Sequence, residues 1–276
     1  MYICPVCKKP LKPFNNTLHC RNNHSFDVAR KGYVNLLTTA GHNPRTSGDN
    51  ADMVKARSAF LDKDYYKPLA LKLKDVLAER LGEVKSPVII DSGCGEGYYT
   101  AQLSQINGAE IYGIDISKQA VSHCMSRVHM AGIKNCHFAV ASSFELPFGD
   151  KSADGVVSVF APVCNDEYAR VLKDMGVLAV VSPSPRHLFE LKAAVYDKPY
   201  ENKPNIYGLN KFTEVQKLVF EYQAQLTSQE DIVSLFMMTP YFYKTSQQGM
   251  ERLRSLNDIQ VTCGFVIQLF SKNKYK

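Results

Sequence analysis

Short apolar runs alternate with segments of helical spacing over most of the chain, from residue 53 onwards. Runs rich in Val, Ile, Ala and aromatic residues predict strands at 87–90, 110–116, 137–141, 155–160, 177–182 and 259–270. Nearly continuous apolar runs are typical of parallel strands that are covered by helices on both faces. The pattern therefore predicts an α/β domain with a doubly wound sheet.

Helices are predicted where apolar residues recur every three to four positions. The stretch 53–81 predicts two helices that are interrupted near 65–68, and Gly82 is placed to end the second one. Further helices are predicted after residue 98, near 229–237 and around 248–256. No run approaches the roughly 18 apolar residues of a membrane span, and no secretory leader is recognisable, so we expect a cytoplasmic protein without a membrane partner.

Residues 1–37 lack this pattern and are rich in Cys, Pro, Asn and Lys, which indicates a small module that is stabilised by a metal. Cys4 and Cys7 are followed, after twelve residues, by Cys20 and His24, a spacing typical of zinc sites. His19 is the alternative imidazole, although its position beside Cys20 is less suited to closing the chelate. Four protein ligands leave no open position for water, so we expect a structural Zn²⁺.

A polar stretch at 38–52 contains several helix breakers, so it is interpreted as a linker or mobile loop. Asp49 or Asn50 is placed to cap the helix that follows. The predicted organisation is therefore a metal-binding module at 1–37, a linker at 38–52 and a larger domain at 53–276.

The net charge of +6 is concentrated in the first 35 residues. This stretch has one acid, Asp27, and six basic residues: Lys8, Lys9, Lys12, Arg21, Arg30 and Lys31. A basic excess on a small module indicates contact with phosphate groups, although metal-bound thiolates and a divalent ion would together remove about one unit of charge. A surface that is merely soluble is the alternative.

The predicted strand at 87–90 leads into a glycine-rich turn, Asp91-Ser92-Gly93-Cys94-Gly95-Glu96-Gly97, and then into a helix. Glycines are needed where a backbone bends sharply or lies against a ligand. A dinucleotide fingerprint would have its third glycine at position 98, which is Tyr98. The spacing instead favours S-adenosylmethionine, with its amino-acid part over the turn and Asp91 orienting the cationic end. A structural turn in another α/β fold is the alternative.

Three further positions lie at the predicted carboxyl edge of the sheet, where ligands bind in this class of fold. Asp115 closes the next apolar run, and its carboxylate can accept hydrogen bonds from the hydroxyls of a ribose. Ser142 can border the adenine, with a loop-forming serine as an equal alternative. The turn 160–162, Phe-Ala-Pro, suits a target base, and a generic strand-to-helix turn explains it about as well.

Longer blocks of sequence carry a family resemblance: Cys-Pro-Val-Cys at 4–7, Arg-x-x-His-Ser-Phe-Asp at 21–27, Lys-Gly-Tyr-Val-Asn-Leu-Leu at 31–37, Gly-Tyr-Tyr-Thr at 97–100, Ala-Ser-Ser at 141–143, Leu-Pro-Phe at 146–148 and Pro-Arg-His-Leu at 185–188. In these blocks the chain resembles the bacterial large-subunit (23S) ribosomal RNA guanine-N1 methyltransferases. The resemblance implies a doubly wound, mostly parallel seven-stranded sheet, the Rossmann-like fold of class I methyltransferases, with a small N-terminal zinc-binding module that recognises RNA.

The resemblance also implies a reaction and its partners. A methyl group would pass from S-adenosylmethionine to N1 of a guanine in a hairpin loop of large-subunit ribosomal RNA, and the enzyme would form a homodimer. Matching motifs place cofactor contacts on Tyr66, Gly95, Glu96 and His187. The chain departs from the family pattern by one inserted residue within 160–164 and by the absence of Pro-Gly-Gly near 173–176.

Two other classes of function stay open. A small-molecule methyltransferase would leave the basic module unexplained, and an RNA-binding regulatory protein with an inactive methyltransferase fold is disfavoured by the intact Asp91 and Asp115 and the three glycines between them. No residue is singled out as acceptor of the guanine N1 proton; His187 and Asp166 are the candidates considered. For independent modules, loss of zinc should weaken RNA binding and leave cofactor affinity nearly unchanged.

Overall fold

A computed structural model describes residues 2–38 and 51–273. The predicted linker at 38–52 lies almost entirely outside these ranges, together with its two candidate capping residues. Among the described helices, none combines the length and the apolar character that a membrane crossing requires.

The N-terminal module is built on a small antiparallel sheet of three strands, β1 (Lys12–Phe14), β2 (Thr17–His19) and β3 (Ser25–Asp27). Strands this short cannot bury a core, which agrees with the expectation of a metal-stabilised unit. The chain then forms β4 (Val34–Asn35), which leaves the module and pairs in parallel with a strand of the large sheet.

Within the described residues, the large sheet has eight strands in the order β10-β11-β9-β8-β5-β6-β7-β4. Its longer strands are β5 (Val88–Ser92), β6 (Glu110–Asp115), β7 (Cys136–Val140), β8 (Ala153–Val159), β9 (Leu172–Pro183), β10 (Phe212–Leu226) and β11 (Ile259–Lys272). Strands β4 to β9 pair in parallel, and β11 is antiparallel to both β9 and β10. The strand order reverses at β5, so a ligand crevice is expected at the carboxyl end of β5.

The described helices are α1 (Ala51–Leu61), α2 (Lys67–Arg80), α3 (Tyr98–Leu103), α4 (Lys118–Met130), α5 (Asn165–Val171), α6 (Phe189–Val195), α7 (Gln229–Met237) and α8 (Gln247–Ser255), with one 3₁₀ turn at Phe242–Lys244. The α/β fold class and its doubly wound, mostly parallel sheet are confirmed. Seven strands form the expected sheet, and β4 adds an eighth at its edge.

Strand β10 has no counterpart among the strands predicted from sequence. It spans 15 residues at the edge of the sheet, and most of its side chains are exposed or only half-buried. A strand that is paired on one side and largely solvated does not carry a continuous apolar run, so its pattern is weak. Strand β9 likewise begins five residues before the predicted start at 177, because the exposed Lys173 and Asp174 interrupt its apolar run.

Two hydrophobic clusters form the core. One contains buried side chains of α1, α2, α7 and β11, and the other contains buried side chains of β8, β9 and α5. The second cluster also includes Cys4, Leu11 and Cys20 of the N-terminal module, together with Leu146 and Phe148 of the large domain. The module and the large domain therefore share a continuous apolar core.

Candidate functional site

A cavity of about 620 Å³ lies at the carboxyl ends of the central strands. The turns after β5, β6, β7, β8 and β9 contribute to its lining, and residues of α1, α7 and the turn after α7 complete it. Predicted cofactor residues that line it are Tyr66, Gly93, Gly95, Glu96, Asp115, Ser142 and His187. The structure thus gathers seven of the eight residues, from five separate stretches of chain, around one space.

The glycine turn is held close to the sheet by its backbone. The N–H groups of Gly93 and Cys94 both donate to the carbonyl of Ile114, at 2.8 and 3.0 Å. Gly93 and Gly95 have φ angles of +80° and +55°, in the left-handed region that favours glycine.

These two glycines are needed for different neighbours. A Cβ on Gly93 would lie 2.5 Å from the Cβ of Ala161, so the absent side chain lets the turn after β8 approach. A Cβ on Gly95 would meet only the end of the Arg57 side chain, at 3.4 Å. Gly95 therefore leaves a cradle open towards the cavity, as a cofactor lying against the backbone requires.

Asp91 is the predicted cofactor residue that does not line the cavity. It is buried behind the turn, and its carboxylate accepts a hydrogen bond of 2.5 Å from the Thr100 hydroxyl on α3. Burial raises the pKa of Asp91 to about 7. From this place Asp91 ties the glycine turn to α3, and it can act on a cationic ligand through its charge without touching it.

Asp115 lies half-buried at the end of β6 with its carboxylate already oriented. Its Oδ2 accepts the Gly95 N–H at 2.9 Å, and its Oδ1 accepts the Ser117 N–H at 2.8 Å. Each carboxylate oxygen carries a second lone pair, so Asp115 can also accept hydroxyl donors from a ribose.

Glu96 is buried in an ion pair with Arg127, whose Nη2 lies 2.9 Å from the Glu96 Oε2. Arg127 also contacts Asp62 at 2.7 Å and lies over the Tyr98 ring at 5.5 Å. Burial raises the pKa of Glu96, and the Arg127 charge opposes this rise. The pair fixes the outer part of the glycine turn against α4, so only part of the Glu96 carboxylate is available to a ligand.

Tyr66 and His187 form a buried pair, with 3.4 Å between the Tyr66 hydroxyl and the His187 Nε2. The Gly264 N–H donates to His187 Nδ1 at 3.3 Å, which assigns the proton of the neutral ring to Nε2. Burial, assisted by the charge of Lys192, lowers the pKa of His187 to about 3. His187 is therefore a neutral hydrogen-bond donor near pH 7.

This lowered pKa predicts a pH dependence of stability. In the unfolded chain His187 has an ordinary pKa of about 6.5 and binds a proton below that pH, whereas in the folded protein it stays neutral. The contribution of His187 to stability is therefore fully present above about pH 6.5 and decreases as pH falls towards 3. We expect His187 to account for a loss of about 2 kcal/mol between pH 6.5 and pH 5, measured by urea unfolding. The raised pKa of Asp91 acts in the opposite direction, since its contribution is lost as pH rises towards 7. The measured quantity is therefore the difference in stability between wild type and His187→Gln, from which the Asp91 contribution cancels. His187→Gln should gain about 2 kcal/mol on the wild type between pH 6.5 and pH 5; a difference that does not change with pH would contradict the assignment.

Sequence reasoning missed Asn202, which ties the two halves of the cavity wall together. Its Nδ2 donates to the carbonyls of Ser184 and His187, both at 3.0 Å. Its Oδ1 accepts from Lys192 Nζ at 2.7 Å and from the Tyr241 hydroxyl at 2.6 Å. Asn202 therefore connects the turn that carries His187 with the wall around Tyr241. Its segment has no periodicity that would identify it from sequence.

The predicted metal ligands Cys4, Cys7, Cys20 and His24 converge, with their ligand atoms within 4.8 Å of one another. The sulfurs of Cys7 and Cys20 are 3.6 Å apart, and His24 Nδ1 lies 3.4 Å from the sulfurs of Cys4 and Cys20. A tetrahedral zinc with Zn–S of about 2.3 Å and Zn–N of about 2.0 Å requires S···S near 3.8 Å and S···N near 3.5 Å.

The alternative ligand, His19, has its Nε2 beside the Ser25 hydroxyl at 3.2 Å and is not in the cluster. The three thiols and the imidazole of His24 therefore fit zinc in number, chemistry and spacing, and they leave no position for a reacting water.

Comparison with known proteins agrees with this geometry. A family model described as "Methyltransferase domain" matches residues 83–239, and a zinc-ribbon model described as "RlmA, N-terminal" matches residues 2–41. The YcgJ protein of Bacillus subtilis is similar in structure, with a TM-score of 0.51, 18% identity, and coverage of 75% of this chain and 99% of that one. At this identity the likeness supports the methyltransferase fold alone.

Two relatives are similar along the sequence. The 23S rRNA (guanine(748)-N(1))-methyltransferase of Streptomyces fradiae is 38% identical over 194 residues, which is 70% of this chain and 66% of that enzyme. The protein named "Putative 23S rRNA (guanine-N(1)-)-methyltransferase YxjB" of Bacillus subtilis (strain 168) is 30% identical over 278 residues, or 95% of this chain and 94% of that protein. The chain has an S-adenosylmethionine-dependent methyltransferase domain and a zinc ribbon, and it belongs to the 23S rRNA guanine-N1 methyltransferase family.

Proposed function

We propose that this protein transfers a methyl group from S-adenosylmethionine to N1 of a guanine in a hairpin loop of large-subunit ribosomal RNA. The observation that carries the proposal is the single cavity that joins the Gly95 and Asp115 cradle to an exposed aromatic side chain, Phe160. The relatives named for guanine-N1 methylation of 23S rRNA support the substrate.

The cofactor fits the wall formed by the glycine turn, β6 and the turn after β7. Asp115 would hold the ribose hydroxyls, Ser142 would border the adenine, and Gly93 and Gly95 would lie beneath the amino-acid part. Tyr66, Glu96 and His187 remain proposed contacts further along the wall. When bound, the cofactor supplies an electrophilic methyl group, and the protein supplies its alignment with the target base.

The target base is proposed to stack on Phe160 at the mouth of the cavity. Phe160 is 46% exposed, and its φ of +53° turns it out of the strand and away from the sheet core. Its ring stacks on His187 at 6.2 Å, which supports one of its faces. Bases in RNA loops are commonly unstacked and received on aromatic side chains, so a half-exposed ring with a fixed orientation suits this role.

Neither residue considered as proton acceptor fits that role. Asp166 lies outside the cavity lining, and its carboxylate is paired with Lys211 at 2.8 Å. His187 has a lowered pKa, so its ring has little affinity for a proton near neutral pH. We propose that the N1 proton leaves to water, and that the enzyme acts by aligning N1 with the methyl group.

The zinc module is proposed to bind the RNA through its basic residues. Lys12 and Arg21 are exposed on this module, where phosphate groups can reach them. The homodimer and the cytoplasmic location stay predictions; light scattering of the purified chain tests the first.

Primer extension tests the proposed reaction, because a methyl group on guanine N1 blocks base pairing and stops the polymerase. Large-subunit RNA treated with enzyme and S-adenosylmethionine should give a stop at one guanine of a hairpin loop. Asp115→Ala should remove the stop and serves as the inactive control. Cofactor binding without a stop would overturn the substrate, and transfer of labelled methyl to small molecules alone would favour that other class.

A further inference from the structure

The loop at 141–148, called here the adenine loop, faces the cavity on one side and contacts the N-terminal module on the other. On one side Ser142, Ser143 and Phe144 line the cavity. On the other side the loop carries the N-terminal module: the Ile3 N–H donates to the Pro147 carbonyl at 2.9 Å, and Tyr2 forms a bridge with Phe148. The same loop therefore contacts both the module and the cavity.

Aromatic packing reinforces this contact. The Tyr2 ring lies 5.4 Å from the Phe148 ring and 5.5 Å edge-on from the Tyr112 ring. Tyr112 belongs to β6, the strand that ends at Asp115. Tyr2 thus packs against both the adenine loop and the strand that presents the proposed ribose acceptor.

The metal ligands hold Tyr2 in place through a short chain of contacts. Cys4 is fully buried within the same core cluster as Leu146 and Phe148. Its N–H donates to the Lys9 carbonyl at 2.8 Å, and the Leu11 N–H donates to the Tyr2 carbonyl at 2.9 Å. The first zinc-binding turn and Tyr2 therefore form one unit that zinc would make rigid.

Two more contacts link the module to the middle of the adenine loop and to the residue before it. Lys8 pairs with Glu145 at 2.5 Å, near the middle of the loop. The Leu36 N–H donates to the Val140 carbonyl at 2.8 Å, just before the loop begins. The loop is thus held from before its first residue to its last one.

We propose that the zinc module is a structural part of the cofactor site, positioning the adenine loop, and that cofactor affinity depends on zinc. This deepens the proposed function, since it rests on the adenine lying against Ser142. The expectation differs from that for two independent modules, in which zinc loss would leave the cofactor unaffected. Tyr2 is a positioning residue here, because it acts through Phe148 and is not among the residues that line the cavity.

Calorimetric titration of the full, zinc-loaded chain with S-adenosylhomocysteine tests the proposal. Tyr2→Ala should weaken binding by about three- to tenfold, the range of one aromatic contact, with zinc content unchanged. Phe14→Ala is the matched control, since Phe14 is an exposed aromatic residue of the same module, and its affinity should equal that of the wild type. Removal of zinc with a chelator should weaken binding further, and hydrogen exchange in 141–148 should speed up.

A surface variant covers the case in which Tyr2→Ala or the chelated chain does not fold. Lys8→Glu opposes Glu145 with a like charge at an exposed position, and it should weaken cofactor binding by about two- to threefold. Lys217→Glu makes the same charge change at an exposed position of β10, at the opposite edge of the large sheet, and should leave cofactor affinity unchanged. Equal affinities and equal exchange in folded Lys8→Glu and wild type would overturn the proposal. Failure of the proposed function is distinguishable, because it appears in the wild type as absence of the primer-extension stop.

Discussion

Gly93→Ala is expected to destabilise the protein by about 2–5 kcal/mol and to abolish measurable cofactor binding. An alanine at a φ of +80° is strained by about 1–2 kcal/mol. Its Cβ would also lie 2.5 Å from the Cβ of Ala161, which forces the two turns apart at a cost of about 1–3 kcal/mol. Because both turns line the cavity, their separation removes the cofactor wall. Urea unfolding and titration with S-adenosylhomocysteine measure the two effects.

The structure offers a control and a rescue for this variant. Gly132 has a similar φ of +67°, and no atom lies within 4 Å of its added Cβ, so Gly132→Ala should show the strain alone. Combining Gly93→Ala with Ala161→Gly removes the clashing methyl group and leaves the nearest backbone atom at 3.9 Å. The double variant should recover stability to the level of Gly132→Ala. No recovery would mean that Gly93 is required for a reason other than the approach of Ala161.

Phe160→Ala is expected to lower kcat/KM for RNA about 5- to 150-fold, with cofactor affinity nearly unchanged. The range follows from base–aromatic stacking of about 1–3 kcal/mol per base. Phe160 lines the outer part of the cavity, and its ring has contacts with His187 and Phe265 on the inner side. Single-turnover methylation at limiting RNA and calorimetry with S-adenosylhomocysteine separate the two quantities.

Two conservative variants distinguish stacking from simple space filling at Phe160. Phe160→Tyr keeps the aromatic face and should retain most of the activity. Phe160→Leu keeps an apolar side chain at the same strained φ and should lose nearly as much as alanine. Parallel losses of RNA methylation and cofactor affinity would show instead that Phe160 supports the cofactor wall through His187.

The parts of the site that sequence predicted are those with local signals. The glycine turn, Asp115 and the zinc ligands lie within short stretches whose spacing reflects the geometry of one ligand. Tyr66 and His187 carry no such signal, and only the family resemblance pointed to them. In the structure the Tyr66 hydroxyl lies 3.4 Å from the His187 Nε2. Whether they contact the cofactor stays a prediction.

The parts that sequence could not predict depend on contacts between distant stretches. Asn202 gathers four side-chain hydrogen bonds from three other segments, and no pattern in its own segment reveals this. A glycine is required at position 93 because Ala161, in the turn after β8, packs against it. Strand β10 was not predicted because many of its side chains are solvated. The packing of Tyr2 on Phe148 joins the zinc module to the large domain, which the predicted linker had kept apart.

The pairing of β4 with β7 has a consequence for synthesis on the ribosome. Val34 lies beside Ala139, so the partner of β4 is made only after more than a third of the chain has followed it. Until then the zinc module can bind its metal, but the strand that β4 pairs with has not yet been made. The docking of β4 must therefore wait for later strands, and β4 then covers the carboxyl end of β7, which would otherwise be open to pairing with another nascent chain.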